Sequence, residues 1–172
     1  MRRILALLAL GALAACAPEQ KAKIEEDFSK RLSPGCYTVD LFDPYRLEYP
    51  EAGVSAENRK FLGVWKNGAW GGNWCHDLYI TNVFADGSVE LLDAYGPSAK
   101  HGHEATVYKR KGKIENGVLT FLSHKQTPVS YRLAGEYLVG TRKDLFGTIE
   151  ITMSRTDRLA EVPVPPRKPV RS

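Results

Sequence analysis

The chain has 172 residues, of which 24 are basic and 20 are acidic, giving a net charge of +4 at neutral pH. This balance is too even for a nucleic-acid-binding protein, in which basic residues concentrate on one clearly basic domain. Hydrophobic residues make up 43% of the chain, which is enough for one globular domain with an ordinary core. We therefore expect one folded domain that does not bind nucleic acid.

Residues 1–15 form a short apolar leader with a positive start. Arg2 and Arg3 precede an apolar run that ends near Ala12, well short of the roughly 20 residues that a membrane span requires. A charged stretch begins at Glu19, soon after the leader. This order of features is typical of a secretory signal rather than of a retained membrane anchor.

The end of this leader, Leu13-Ala14-Ala15-Cys16, resembles the lipobox of bacterial lipoproteins. In that family the leader is removed just before the cysteine, which is then acylated. The resemblance implies a signal peptide over residues 1–15, a lipid on Cys16 and attachment to a membrane through that lipid. Because Ala17 rather than Asp follows the cysteine, it also implies the outer membrane, with the protein facing the periplasm. A secretory signal that is cleaved without lipidation is the alternative.

Residues 16–60 form a stalk between the lipid and the main domain. Ile24, Phe28 and Leu32 recur at helical spacing among charged residues and predict a short N-terminal amphipathic helix. This helix either packs on the domain or lies on the membrane surface. Residues 36–60 contain several prolines and glycines that break regular structure, so no element is assigned there.

Cys36 and Cys75 are the two cysteines that remain after Cys16. In an oxidising compartment such a pair predicts a disulfide. In the chain-entropy model a loop of this length contributes roughly 4 kcal/mol. The bond would fasten the stalk to the domain. Two separate thiols, one of them in the core, are the alternative.

Residues 61–155 consist of short alternating segments separated by turns. After a first strand that begins near Phe61, strands are predicted over residues 74–80, 89–91, 105–110, 118–123, 129–133, 137–142 and 147–155. Asp86-Gly87 and Asn116-Gly117 predict tight turns between neighbouring strands. About eight strands at even spacing predict an all-β fold, an antiparallel up-and-down β-barrel without exposed sheet edges.

The beginning of the barrel, Gly63-Val64-Trp65, resembles the Gly-x-Trp signature of lipocalins and related calycin barrels. In those proteins the tryptophan plugs the closed end, and a basic residue late in the barrel packs across it. The resemblance implies that Trp65 and Arg155 have these roles, with Arg142 as the reserve candidate. It covers residues 61–155 and implies ligand binding in a lipocalin-like cup.

Residues 156–172 form a tail that is rich in proline and in basic residues. Such a composition predicts an extended, solvated arm rather than part of the core. A weak electrostatic contact with anionic envelope components is the functional alternative for this arm.

Candidate ligand-binding residues lie in and near the glycine-rich stretch that follows the first strand. Trp70 and Trp74 either line a binding mouth or fill the core, and His76 shares the strand face of Trp74. Asp93 and Tyr95 join them if both point into the barrel. For Asp93 we favour a strand end in water, because a buried carboxylate needs a partner.

Side chains that can ligate a metal fall close together at His101, His103 and Glu104, and His76 and His124 could join them. Solvated histidines are the interpretation that we favour, and we expect no metal and no other cofactor. The sequence contains no Gly-x-Ser-x-Gly motif, phosphate-binding glycine loop or His-Glu-x-x-His motif. We therefore expect that the protein is not an enzyme.

These observations predict a monomeric, membrane-anchored lipoprotein of the cell envelope that binds a small apolar or amphipathic ligand in its barrel. The alternative is a filled barrel that acts as an interaction module for an envelope protein or glycan. The size of the interior side chains distinguishes the two hypotheses. If Phe84, Tyr108, Phe121 and Tyr131 all point inward, little space remains for a ligand, and the interaction module is favoured.

Overall fold

The computed structural model describes residues 28–36, 38, 47–48, 50, 52–99, 102–145 and 147–156. The leader, Cys16 and the tail after residue 156 lie outside the described residues. So does most of the predicted N-terminal helix, of which Phe28 and Ser29 are described and are helical. In the described part of the chain, no helix is long and apolar enough to cross a membrane.

A one-turn helix, α1 (Ala56–Arg59), precedes eight strands. The strands are β1 (Gly63–Trp70), β2 (Trp74–Val83), β3 (Ser88–Tyr95), β4 (Thr106–Glu115), β5 (Val118–Leu122), β6 (Pro128–Ala134), β7 (Tyr137–Asp144) and β8 (Gly147–Arg155). Each strand pairs antiparallel with the next, and β8 pairs with β1 to close the barrel. The predicted all-β, antiparallel up-and-down barrel of eight strands is confirmed.

Tight turns connect the strands in this order. Asn116-Gly117 has positive φ angles of 52° and 74°, which is the conformation of a two-residue hairpin turn. The β2–β3 hairpin has a longer turn than the predicted two residues, since Phe84 N–H donates to the Ser88 carbonyl. Gly87 follows Asp86 with a φ of 86°, the left-handed position of a three-residue hairpin loop.

The two ends of the barrel are built differently. At the capped end, the β2–β3, β4–β5 and β6–β7 turns meet, and the chain enters the barrel from α1. At the loop end, the other four connections meet, including the longest one, residues 96–105. These two names are used below.

Three described residues of the stalk contact the outer face of the barrel. The predicted disulfide is present, with Cys36 and Cys75 joined by an S–S bond of 1.98 Å. Next to it, the Thr38 hydroxyl donates a hydrogen bond of 2.8 Å to the Asp77 carboxylate. Leu47 packs on a small apolar cluster on the same outer face. The disulfide therefore ties the stalk to β2, as the sequence analysis expected.

The middle of the barrel is close-packed with apolar side chains. A Cβ atom on Gly68 would lie 2.8 Å from the side chains of Ile151 and Met153. A Cβ atom on Gly140 would overlap the Tyr131 ring. Real Cβ contacts are longer than this. Neighbouring side chains therefore already occupy the space that a side chain at Gly68 or Gly140 would need. The barrel interior is therefore filled from the capped end up to Tyr131.

Trp65 and Arg155 close the capped end. Trp65 is only 1% exposed, and its indole N–H donates a hydrogen bond of 2.9 Å to the Phe61 carbonyl. Arg155 Cζ lies 4.2 Å from the centre of the Trp65 ring, a cation–π geometry. The same guanidinium donates to the carbonyls of Leu62 and Lys60. Arg155, rather than the reserve candidate, thus lies where the lipocalin resemblance put the basic residue.

Candidate functional site

The strand register brings the five candidate ligand-binding residues together at the loop end. Trp70 pairs with Trp74 across β1 and β2, and His76 pairs with Tyr95 across β2 and β3. Asp93 lies two residues before Tyr95 and therefore faces the same side of β3. Because this side faces the interior, the five side chains form one polar and aromatic layer inside the barrel.

Asp93 is fully buried, with no exposed surface, so the solvated strand end that we favoured is wrong. β3 continues beyond Asp93 to Tyr95, and Asp93 pairs with Tyr108 of β4 in the interior. An alternating strand fixes the direction of each side chain regardless of its polarity. The apolar residues that surround Asp93 therefore decide its burial, and its carboxyl group is taken out of water with them.

The surroundings of Asp93 favour the uncharged, protonated form of its carboxyl group. Burial raises the pKa of Asp93 to about 7, opposed by the charge of Arg110, the nearby Tyr95 hydroxyl and the charge of Arg142. Asp93 Oδ1 lies 3.5 Å from His76 Nε2, and Oδ2 lies 3.9 Å from Arg110 Nε. Both distances are longer than ordinary hydrogen bonds. The carboxyl group therefore lies near His76, Arg110 and the Tyr95 hydroxyl, and neither His76 nor Arg110 holds it in an ordinary hydrogen bond.

His76 is fully buried and lies beside Asp93 in the same layer. Its Nε2 atom lies 3.0 Å from the Tyr131 hydroxyl, a hydrogen bond. Burial, and then the positive charge of Arg142, lowers the pKa of His76 to about 3. The imidazole is therefore neutral at physiological pH. Burial likewise raises the pKa of Tyr131 well above its ordinary value.

Three half-buried rings, those of Trp74, Tyr108 and His124, and the exposed ring of His103 cover this layer on the solvent side. His103 stacks on Trp74 with ring centres 5.6 Å apart and an interplanar angle of 7°. Two backbone hydrogen bonds between Ser98 and His103 hold the long loop in this position. Tyr108 stacks on His124 at 5.2 Å and 5°. The loop end thus carries flat faces of aromatic rings above the buried polar groups.

Trp70 and Trp74 differ in burial, which answers the question that the sequence left open. Trp70 is buried in the core cluster, next to the rings of His76 and Tyr131. Trp74 is only partly buried, and its indole N–H donates a hydrogen bond of 3.0 Å to the Gly96 carbonyl. Trp70 therefore belongs to the core, whereas Trp74 lies at the mouth of the barrel.

Two arginines belong to this site although the sequence analysis did not place them there. Arg142 Cζ lies 4.5 Å from the Trp70 ring centre and 5.2 Å from that of Trp74. Arg110 Cζ lies 4.7 Å from the Tyr108 ring centre. The alternation of β4, which puts Arg110 and Tyr108 on one face, was the signal for Arg110. Arg142 approaches the tryptophans across the barrel interior, and that contact depends on closure of the barrel.

The four aromatic side chains that distinguish a filled barrel from an open one differ in burial. Phe121 and Tyr131 are buried and stack with ring centres 5.8 Å apart. Tyr108 packs against the core while partly exposed. Phe84 lies in the β2–β3 turn and is half-buried. The middle of the barrel is filled, so any space for a ligand has to lie in the polar and aromatic layer above it.

Buried polar atoms without a hydrogen-bond partner concentrate in this layer. Among the described residues, the atoms without a well-formed hydrogen bond are Trp70 Nε1, His76 Nδ1, both Asp93 oxygens, Arg110 Nε and His124 Nδ1, with Asn82 Oδ1 elsewhere on β2. Weaker polar contacts remain between His76 and the Ala94 backbone and between Asp93 and the Tyr95 hydroxyl. Buried polar groups in proteins are nearly always satisfied. The loop end therefore holds hydrogen-bonding groups that the described part of the chain does not use.

The histidines do not form a metal site in the described part of the chain. The ring centres of His103 and His124 are 6.3 Å apart. No group of three or more His, Cys, Asp or Glu side chains there is arranged to hold a metal ion. His101 lies outside the described residues. The contacts of His103 and His124 are with aromatic rings, which suits a wall of the site.

Comparison of the chain with protein-family models, with curated proteins and with solved structures found no match. A barrel fold supports many unrelated functions, so the chemistry of the site has to carry the functional argument.

Proposed function

We propose that this protein is a membrane-anchored lipoprotein of the cell envelope that binds a small amphipathic ligand at the loop end of its barrel. The observation that carries the proposal is the layer of buried, unpartnered polar groups around Asp93 and His76, beneath half-buried aromatic rings. A ligand with polar atoms would satisfy these groups, which are costly to leave unpaired.

The ligand would lie near the surface rather than in a deep cup. Apolar side chains fill the barrel up to Tyr131, as the close contacts of Gly68 and Gly140 show. The faces of Trp74 and Tyr108 already contact His103, His124 and the two arginines, so an aromatic ring or an alkyl chain would pack against the edges of these rings at the mouth. The polar layer would then orient the ligand, as a few polar groups do in most small-molecule sites.

The anchoring part of the proposal is supported by the Leu13–Cys16 lipobox in the sequence. A lipid on Cys16 would hold the protein at the outer membrane, facing the periplasm. The Cys36–Cys75 disulfide supports an oxidising location, because such bonds are rare in the cytosol. It would also keep the barrel close to the membrane, because it joins β2 directly to Cys36 in the stalk.

Native mass spectrometry of the mature protein, purified from the membranes of its own host, tests both parts. We expect the mass of residues 16–172 increased by acylation of Cys16, and a non-covalent adduct on the barrel. Trp74→Ala should lose the adduct, because it removes an aromatic face at the mouth. Leu122→Ala is the matched control, since Leu122 is exposed on β5. Protein without any adduct would overturn ligand binding, and an unmodified Cys16 would overturn the anchoring.

An interaction module is the second candidate, and exposed apolar side chains favour it. Val107, Leu122 and Leu145 are 39%, 48% and 96% exposed, and all three lie near the loop end. Such residues can contact a protein partner through the rim of the barrel. Capture of an envelope protein that is lost on Leu145→Ser, together with protein free of adduct, would favour this candidate.

A further inference from the structure

The guanidinium of Arg142 has an unusual environment. Arg142 is half-buried, packed on Trp70 and Trp74, and it makes no ion pair and no side-chain hydrogen bond with a described residue. A guanidinium carries five N–H donors in a fixed plane. Cation–π contacts with the two indoles account for its position and leave those donors without a protein partner among the described residues.

Arg110 lies in the same interior region with its Nε–H also unused. The side chain is 20% exposed, and its Nε atom is buried without a hydrogen-bond partner among the described residues. The nearest carboxylate oxygen, Asp93 Oδ2, is 3.9 Å away. Because the charges of Arg110 and Arg142 both act on Asp93, the two guanidiniums lie within electrostatic reach of one carboxyl group.

The charges inside the mouth do not balance. Two guanidiniums that stay charged at all physiological pH values face one buried carboxyl group, that of Asp93. The pKa of Asp93, about 7, leaves this group partly protonated at neutral pH, and His76 is neutral. Lys125, Glu104 and Asp144 are exposed to solvent, so none of the three contributes to the charge of the buried part. The buried part of the site therefore carries excess positive charge.

From these contacts, and resting on the proposed function, we infer that the ligand is an acidic amphiphile. Its carboxylate or phosphate group binds Arg142 and Arg110, and its apolar body packs on Trp74 and Tyr108. Guanidinium donors match the two oxygens of such a group in a bidentate geometry. The aromatic rings around the guanidiniums limit their contact with water, which strengthens the pairing. The negative group would also compensate the excess positive charge of the mouth.

Isothermal titration calorimetry with matched probes tests this assignment. The full chain is reconstituted in phospholipid nanodiscs, and empty nanodiscs correct for partitioning into lipid. The probes are 2-naphthoate, 2-naphthyl phosphate and 2-naphthalenemethanol, together with octanoate and octanol. We expect at least one acid to bind about ten-fold or more tightly than the alcohol with the same apolar body.

Variants locate the group responsible for this preference. Arg142→Gln should reduce the ratio of acid to alcohol affinity to about one, and Arg110→Gln should reduce it in part. Arg142→Lys keeps the charge without the planar fork, so it should retain an intermediate ratio. Arg132→Gln is the matched control, because Arg132 is exposed on β6 and its loss should leave the ratio unchanged. Circular dichroism confirms that each variant is folded.

The outcomes separate this inference from the proposed function. If no probe binds, the ligand site itself is wrong. If acids and alcohols bind equally, the amphiphile site stands and the assignment of an acidic group is overturned. If Arg132→Gln lowers the ratio as much as Arg142→Gln, the preference comes from net charge rather than from the site, and the inference is also overturned. A preference for naphthoate over naphthyl phosphate, or the reverse, identifies which acid the site accepts.

Discussion

The two ends of the barrel use the same two residue types, tryptophan and arginine, with different outcomes. At the capped end, Arg155 packs on Trp65 and gives its N–H donors to backbone carbonyls. At the loop end, Arg142 packs on Trp70 and Trp74 without such acceptors among the described residues. The first arrangement is complete in itself and stabilises the fold. The second leaves donors, charge and aromatic surface for a ligand.

Trp65→Ala gives the largest expected effect on stability and tests this division of roles. Trp65 is fully packed at the capped end, so we expect a loss of about 3–5 kcal/mol in the free energy of unfolding. Trp74→Ala, at the half-buried loop end, should cost roughly 1–2 kcal/mol, because part of the ring is already in water. Urea unfolding followed by circular dichroism measures both values. Equal losses would contradict the distinction between the two ends.

The arginines provide a second, smaller contrast. Arg155→Gln removes a cation–π contact and the hydrogen bonds to the Leu62 and Lys60 carbonyls, so we expect a loss of about 1–3 kcal/mol. Arg142→Gln removes only the cation–π contacts and should cost less than about 1 kcal/mol. The same unfolding experiment measures both variants. A larger loss for Arg142→Gln would mean that Arg142 is structural.

A third contrast concerns pH and involves only the loop end. The pKa of Asp93 is raised from 3.8 to about 7, so its contribution to stability is lost as the pH rises from about 4 to 7. The pKa of His76 is lowered from 6.5 to about 3, so its contribution is lost as the pH falls below 6.5. Between pH 4 and 6.5 the two slopes oppose each other in the unmodified protein.

Substitution of Asp93 or His76 should reveal how the other group alone makes the free energy of unfolding depend on pH. Asp93→Asn should show stability that rises with pH between 4 and 6.5, relative to the unmodified protein, by on the order of 1 kcal/mol or more. His76→Gln should show the opposite change over the same interval. The Trp65–Arg155 pair does not titrate in this interval, so Arg155→Gln is the control. Parallel stability curves for all these variants would contradict the assigned pKa shifts.

Much of the fold follows from local sequence signals. Alternating segments and turns such as Asn116-Gly117 predicted all eight strands and their antiparallel order, because side-chain alternation and hairpin geometry are local properties. The disulfide was predicted because Cys36 and Cys75 are the two cysteines other than Cys16. Helix α1 was missed, because one turn after Ser55 carries too little periodicity to detect.

The candidate site was only partly predictable. Trp70, Trp74, His76, Asp93 and Tyr95 were named as one candidate set, and the strand register brings them together because they share the inward faces of adjacent strands. The burial of Asp93 was predicted wrongly, because a buried carboxyl group is rare and its cost is set by the whole surrounding barrel. Arg142 was named as the reserve candidate for the basic residue at the capped end, but it lies at the loop end. Its contacts with Trp70 and Trp74 cross the barrel interior and depend on closure of the barrel.

The central claim, that ligands bind at the loop end while the capped end is structural, can be tested with the indole N–H signals of the three tryptophans. The full chain, labelled isotopically in tryptophan, is titrated with 2-naphthoate and with octanoate while its amide nuclear magnetic resonance spectrum is recorded. We predict shifts of the Trp70 and Trp74 signals, with the Trp65 signal unchanged. A shift of Trp65 that equals or exceeds theirs, or no shift of any tryptophan with either probe, would contradict this account.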